Sequence, residues 1–115
     1  MYDGSVKLIS WNVNGLRAAM RKNSLAPIFA EVPDVICLQE TRCGPDDIEP
    51  LGGGAYAAFW NEARKKGYSG TAIFARGTSL RSVLGIGVSA HDREGRVLTV
   101  EFPEYFVAGS PVLFA

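Results

Sequence analysis

The stretch "DVICLQETR", residues 34–42, decides how this chain folds. Val35 to Leu38 are apolar without interruption, the pattern of a strand buried on both faces. Gln39, Glu40, Thr41 and Arg42 follow at once, so a dry strand runs straight into a carboxylate. A companion strand lies upstream in "VKLISWNV", residues 6–13. There Val6, Leu8, Ser10 and Asn12 alternate with Lys7, Ile9, Trp11 and Val13, which predicts a strand covered on both sides for most of its length. Asn14 and Gly15 end it with turn chemistry.

Between these strands, residues 16–22 read as a short amphipathic helix. Ser24 is placed to cap a further helical turn that tolerates Pro27 near its start, and Pro33 closes it. Strand, helical crossover and strand make a βαβ unit with parallel strands. Asn12 and Glu40 therefore emerge at the same sheet edge, where open α/β sheets bind ligands. The carboxylate stands where a site belongs.

Residues 44–54, with Pro45, Pro50 and three successive glycines, read as a loop. Strands are predicted over 55–59, 69–76, 81–88, 97–102 and 105–109, the third weakened by Gly85 and Gly87. Residues 62–67 and "HDREGR" (91–96) read as charged turns. No helix is expected after Tyr68, so the second half should be antiparallel. The pattern is that of one α/β domain without repeats.

Lys plus Arg equals Asp plus Glu at 12 each, which argues against a surface coated in positive charge for nucleic acid. Two local basic clusters remain: Arg17, Arg21 and Lys22, then Arg64, Lys65 and Lys66. Taken alone, each reads better as a solvated helix face. An apolar fraction of 47% beside 21% charged residues is that of a soluble globular chain. No apolar run nears the ~20 residues of a membrane span, and "MYDGSVKLIS" lacks signal-peptide character, so the expected location is cytoplasmic. Cys37 and Cys43 have no CxxC spacing and no neighbouring histidine, which excludes a zinc pattern and predicts reduced, shielded thiols.

A carboxylate at the end of a buried strand is often only solvated at the rim. Here Asn12, Asn14 and Gln39 should bring amide oxygens near Glu40, a donor set suited to a hard cation such as Mg²⁺. His91 is the sole histidine and sits in a charged turn, where an exposed, idle role fits best. "KKGYSG", residues 65–70, joins Lys65, Lys66, Gly67 and Tyr68 in a combination suited to a nucleic-acid backbone, although Gly67 and Gly70 also suit a plain turn.

"KLISWNVNGLRAA", "PDVICLQETR", "GYSGTAIFAR", "GIG" and "HDREGRVLTVEF", in this order, resemble the exodeoxyribonuclease III family of abasic-site endonucleases, within the endonuclease/exonuclease/phosphatase superfamily. The resemblance runs from about Lys7 to Gly109. It implies a four-layered α/β sandwich of two facing sheets flanked by helices, of which this chain would be the N-terminal half. It also implies a Mg²⁺- or Mn²⁺-dependent enzyme that cuts DNA beside abasic sites, often with 3′-exonuclease and 3′-phosphatase activity. Glu40 matches the metal-binding glutamate, Asn12 the active-site asparagine beside it, and Asn14 a position near the metal. Arg42 replaces a lysine common in the family, and Tyr68, with Lys66 and Gly67 before it, falls where the family touches DNA.

The departures are equally specific. Family members are more than twice as long, and their water-orienting aspartate, its companion asparagine and the phosphate-gripping aspartate–histidine pair have no counterpart here. His91 is not the family histidine. After Gly109 the family continues with an aromatic-x-Pro-Asn sequence, whereas this chain reads "SPVLFA" with Ser110 in place of the tyrosine. Agreement thus ends near residue 110, as after truncation or a frameshift. The expectation is an inactive or nearly inactive chain whose first sheet lacks its facing sheet. The alternatives are a non-catalytic half-domain that pairs with a complementary chain, or a metal-dependent phosphatase of the same superfamily.

Overall fold

Side chains that suit no water-facing surface set the centre of the molecule. In a computed structural model, Val35–Gln39 forms strand β2, buried at every residue. The structure describes residues 7–65, 67–76, 81–84, 98–101 and 106–109. Strand β1 (Leu8–Asn12) runs parallel to β2, with Leu8 opposite Val35 and Asn12 opposite Gln39. The crossover carries helices α1 (Leu16–Arg21) and α2 (Ala26–Ala30). Strands β3 (Ala57–Asn61) and β4 (Thr71–Ala75) complete a sheet of order β1-β2-β4-β3, both of their pairings antiparallel.

The helices cover one face of this sheet. Leu16 and Ala19 of α1 pack with Leu25, Ile36, Leu38, Ala72 and Phe74 in one cluster, joined by Ile28 and Phe29 of α2. Phe74 is its hub, meeting Phe29 edge-on at 6.3 Å and Trp60 at 5.8 Å, while Phe29 also meets Tyr56 at 5.2 Å. Such offset aromatic contacts add to the burial of each ring. At the opposite end of β2 from Glu40, Arg76 donates to the carbonyls of Val32 and Pro33 and to the Asp34 carboxylate. That bonding fixes where β2 begins.

Two local expectations shift. Ser24 does not cap α2, because burial of Leu25 sets the start: the Leu25 carbonyl accepts from Ile28 and Phe29, while Ser24 N–H donates to Ala19. The strand expected at 55–59 lies at Ala57–Asn61. Ala55 is taken into the turn of Gly52–Gly54, and the Tyr56 hydroxyl donates to Pro33 O.

The larger correction concerns the opposite face. Strands β5 (Arg81–Leu84), β6 (Leu98–Glu101) and β7 (Phe106–Gly109) form a second, antiparallel sheet in this same chain. β6 lies against β3 and β4, and β7 against β2 and β4. Val35, Cys37, Ile73 and Ala75, on the face away from the helices, are accordingly buried. The inner face is therefore not left open across the centre of the first sheet. It is exposed at the edge: Leu8 is 47% exposed, and Ser10 and Asn12 beside it are exposed too, so β1 is not covered on both sides. The expected charged turn at 91–96, with His91, and the end from Ser110 onward lie outside the described residues. Among the described residues no helix is long and apolar enough to cross a membrane.

Two outcomes follow from this packing. Phe74→Ala should cost about 3–5 kcal/mol, read as a lowered urea midpoint; a loss below about 1 kcal/mol contradicts the role of Phe74 as hub. Burial also pushes the Cys37 thiol from 9.0 up to about 11. The unfolded chain then releases its proton first, so stability should hold below pH 9.0, fall between 9.0 and about 11, and level off beyond. Urea melts at pH 8 and 10 should show this fall, and Cys37→Ala should remove most of it.

Candidate active site

Where β1 and β2 end, backbone hydrogen bonds keep the two segments together. Val13 N–H donates to Gln39 O, Gly15 N–H to Glu40 O and Leu16 N–H to Thr41 O, at 2.9–3.0 Å. On the other side Thr41 N–H donates to Gly70 O at 3.1 Å and Arg42 N–H to Ser69 O at 2.7 Å. Residues 40–42 are thus pinned between two loops, as a strand is between neighbours.

This pinning holds an unusual backbone. Asn14, Glu40, Arg42 and Ser69 have φ of 50°, 53°, 57° and 49°, in the left-handed region. Outside glycine that conformation costs roughly 1–2 kcal/mol per residue, least for Asn. Hydrogen bonds on both sides maintain it. Thr41, between the two left-handed residues, is buried and donates its hydroxyl to Cys43 O, while Glu40 and Arg42 on either side reach solvent. Gly70 leaves room for this turn, because a Cβ there would meet Thr41 Oγ1.

Asn12 Oδ1 accepts from Asn14 N–H at 3.0 Å, which fixes the amide beside the end of β2 and leaves its second lone pair for another donor. The Arg42 guanidinium stands 4.0 Å from Glu40 Oε1. Gln39 departs from expectation: its amide nitrogen donates to Ser10 Oγ at 2.9 Å, so the side chain is turned back along the sheet. Among the described residues no three His, Cys, Asp or Glu side chains form a metal cage. One half-buried carboxylate with an oriented amide oxygen instead fits a hard cation that keeps most of its water, as Mg²⁺ does. Glu40 and Asn12 would hold it, with Asn14 adjoining.

Arg42, the neighbour of Glu40, also lines a cleft of about 250 Å³ that Glu40 itself does not line. Arg17, Arg42 and Lys65 line it together with Tyr68, and the Lys65 ammonium sits 5.8 Å from the Tyr68 ring. Asp46, Asp47 and Glu62 line it as well, so the cleft is mixed in charge. The two basic clusters thereby divide: Arg17 and Lys65 face the cleft, Arg21, Lys22 and Arg64 are exposed, and Lys66 is outside the described residues. Gly67 lines the cleft as well. The acidic wall had no signal in the sequence, where Asp46 and Asp47 read as plain loop. The Cys43 thiol in the cleft is pushed up, by burial first and by Asp47 next, against the opposing pull of Arg17, so it is a poor nucleophile.

The geometry has relatives. The endonuclease/exonuclease/phosphatase family matches residues 9–112. An exodeoxyribonuclease of Bacillus subtilis (strain 168) is 53% identical over 105 residues, 89% of this chain and 40% of that protein. The DNA repair nuclease APEX1 of Danio rerio is 42% identical over 107 residues, 90% of this chain and 34% of the relative. Among solved structures, the AP endonuclease of Leishmania major superposes with a TM-score of 0.70 at 33% identity, over 97% of this chain and 42% of that one. This chain thus spans well under half the length of these relatives.

The close approach of Gly70 to Thr41 is open to direct test. Gly70→Ala and Gly54→Ala pay similar backbone strain, at φ +92° and +84°, but only the first places its Cβ against another group. Gly70→Ala should therefore be the less stable by at least about 1 kcal/mol in urea unfolding. Equal losses would contradict the packing.

Proposed function

The chain belongs to the endonuclease/exonuclease/phosphatase family, and from that membership we propose that it carries the cation-holding part of a DNA-repair nuclease. The reaction is phosphodiester hydrolysis at abasic sites, with 3′-exonuclease action on the same site. The observation that carries this reading is the placement of Glu40: one carboxylate, pinned at the sheet edge where β1 and β2 end, near an oriented asparagine. The names of the two curated relatives support DNA as substrate.

Each residue has a part. Glu40 and Asn12 hold Mg²⁺ or Mn²⁺, with Asn14 close by. When bound, the cation neutralises charge that grows on the phosphate and the leaving oxygen. Asn12 also helps to orient the attacking group. Arg42 and Lys65 meet phosphate oxygens along the cleft, with Gly67 in the same contact. Tyr68 offers an aromatic face to an unstacked base or sugar. That cleft favours nucleic acid over the small phosphate esters of a phosphatase, and a panel of such esters beside abasic DNA would separate the two.

Alone, the chain should show little or no Mg²⁺-dependent nicking of an abasic duplex, because the Asn12 amide can help to orient the attacking water but cannot take its proton, and Glu40 is committed to the cation. The informative experiment is a chimera in which residues 7–109 replace the matching part of the Bacillus subtilis relative. It should nick abasic DNA in Mg²⁺, and Glu40→Gln within it should lower kcat by on the order of a hundredfold or more. A folded chimera that Glu40→Gln leaves unchanged would contradict the assignment.

A further inference from the structure

Arg42 belongs to two places at once. Its guanidinium lies 4.0 Å from Glu40 Oε1, and it also lines the cleft with Lys65 and Tyr68. Its backbone cannot follow a swing from one to the other: φ is 57°, and the Arg42 N–H is tied to Ser69 O at 2.7 Å. Only the side chain moves, and at 45% exposure it has room to do so.

The charges decide when it moves. No cluster of three potential metal ligands exists among the described residues, so Glu40 supplies the carboxylate charge of the site, and Arg42 offsets it. A divalent cation approaching Glu40 meets a pair with no net charge and repels the guanidinium. A phosphate in the cleft gives that guanidinium a planar, bidentate partner instead. We propose that Arg42 is a positioning residue that couples the two ligands: it opposes the cation while the cleft is empty and releases Glu40 when a phosphodiester enters. By linkage, the cation and the DNA then raise each other's affinity by the same factor. The proposal rests on the reading that Glu40 holds the cation.

Mn²⁺ binding, followed by the electron paramagnetic resonance of the free ion, tests it without reference to turnover. The 115-residue chain is compared with Arg42→Gln, Arg42→Lys and Glu40→Gln, each with and without a short abasic duplex. Circular dichroism establishes that each variant is folded. Arg42→Gln should bind Mn²⁺ alone roughly three- to tenfold tighter than the parent. The duplex should tighten Mn²⁺ binding to the parent and to Arg42→Lys, and leave Arg42→Gln nearly unchanged. Equal Mn²⁺ affinity in the parent and Arg42→Gln, with binding lost in Glu40→Gln, overturns the coupling and leaves the cation at Glu40. A duplex without effect on the parent overturns it likewise. Binding untouched in Glu40→Gln overturns both.

Discussion

Everything at the candidate site depends on the hydrogen bonds that hold residues 39–42 after β2 has ended. Gln39, Glu40 and Thr41 accept from Val13, Gly15 and Leu16, while Thr41 and Arg42 donate to Gly70 and Ser69. A loop free on both sides would relax Glu40 and Arg42 out of the left-handed region. Bonded on both sides, it keeps the Glu40 carboxylate at the carboxyl edge and Thr41 in the interior. Strain and function coincide here for a physical reason: a polar side chain is projected from a buried strand only if the backbone turns sharply, and a sharp turn persists only if its surroundings fix it. Ser69, whose buried hydroxyl has no hydrogen-bond partner, is part of the same cost.

The sheet supplies the surroundings. β2 and β4 are buried from both sides, by helices on one face and by the second sheet on the other. The segments that adjoin them, 40–42 after β2 and 69–70 before β4, are therefore anchored to strands buried at every residue. β1 is the exception, since it lies at the sheet edge with Leu8 exposed. Asn12 thus reaches the site from the more open side, and its amide is fixed locally through Asn14 rather than by the core.

The legible part of the sequence was the part governed by local patterning. The apolar run of 35–38 located β2, and alternation in 6–13 located β1. The helical crossover between them implied parallel pairing, and with it the proximity of Asn12 to Glu40. What escaped was tertiary. The side-chain bond of Gln39 to Ser10 crosses from β2 to β1, and no spacing announces it. The contact of Gly70 with Thr41 joins residues distant in sequence, as does the acidic wall that Glu62 shares with Asp46 and Asp47. The strands at 81–88, 97–102 and 105–109 were legible as well, but their patterning does not say that they form a separate sheet packed on β2, β3 and β4, so the facing sheet was expected from outside the chain.

Where a divalent cation sits decides whether Glu40 is the centre of this site. Crystals of the chain soaked in Mn²⁺ and measured for anomalous scattering would locate the ion directly. The expected peak lies about 2 Å from a Glu40 carboxylate oxygen, with the Asn12 amide oxygen in its shell and water completing it. A peak among Asp46, Asp47 and Glu62, with none at Glu40, would contradict that assignment.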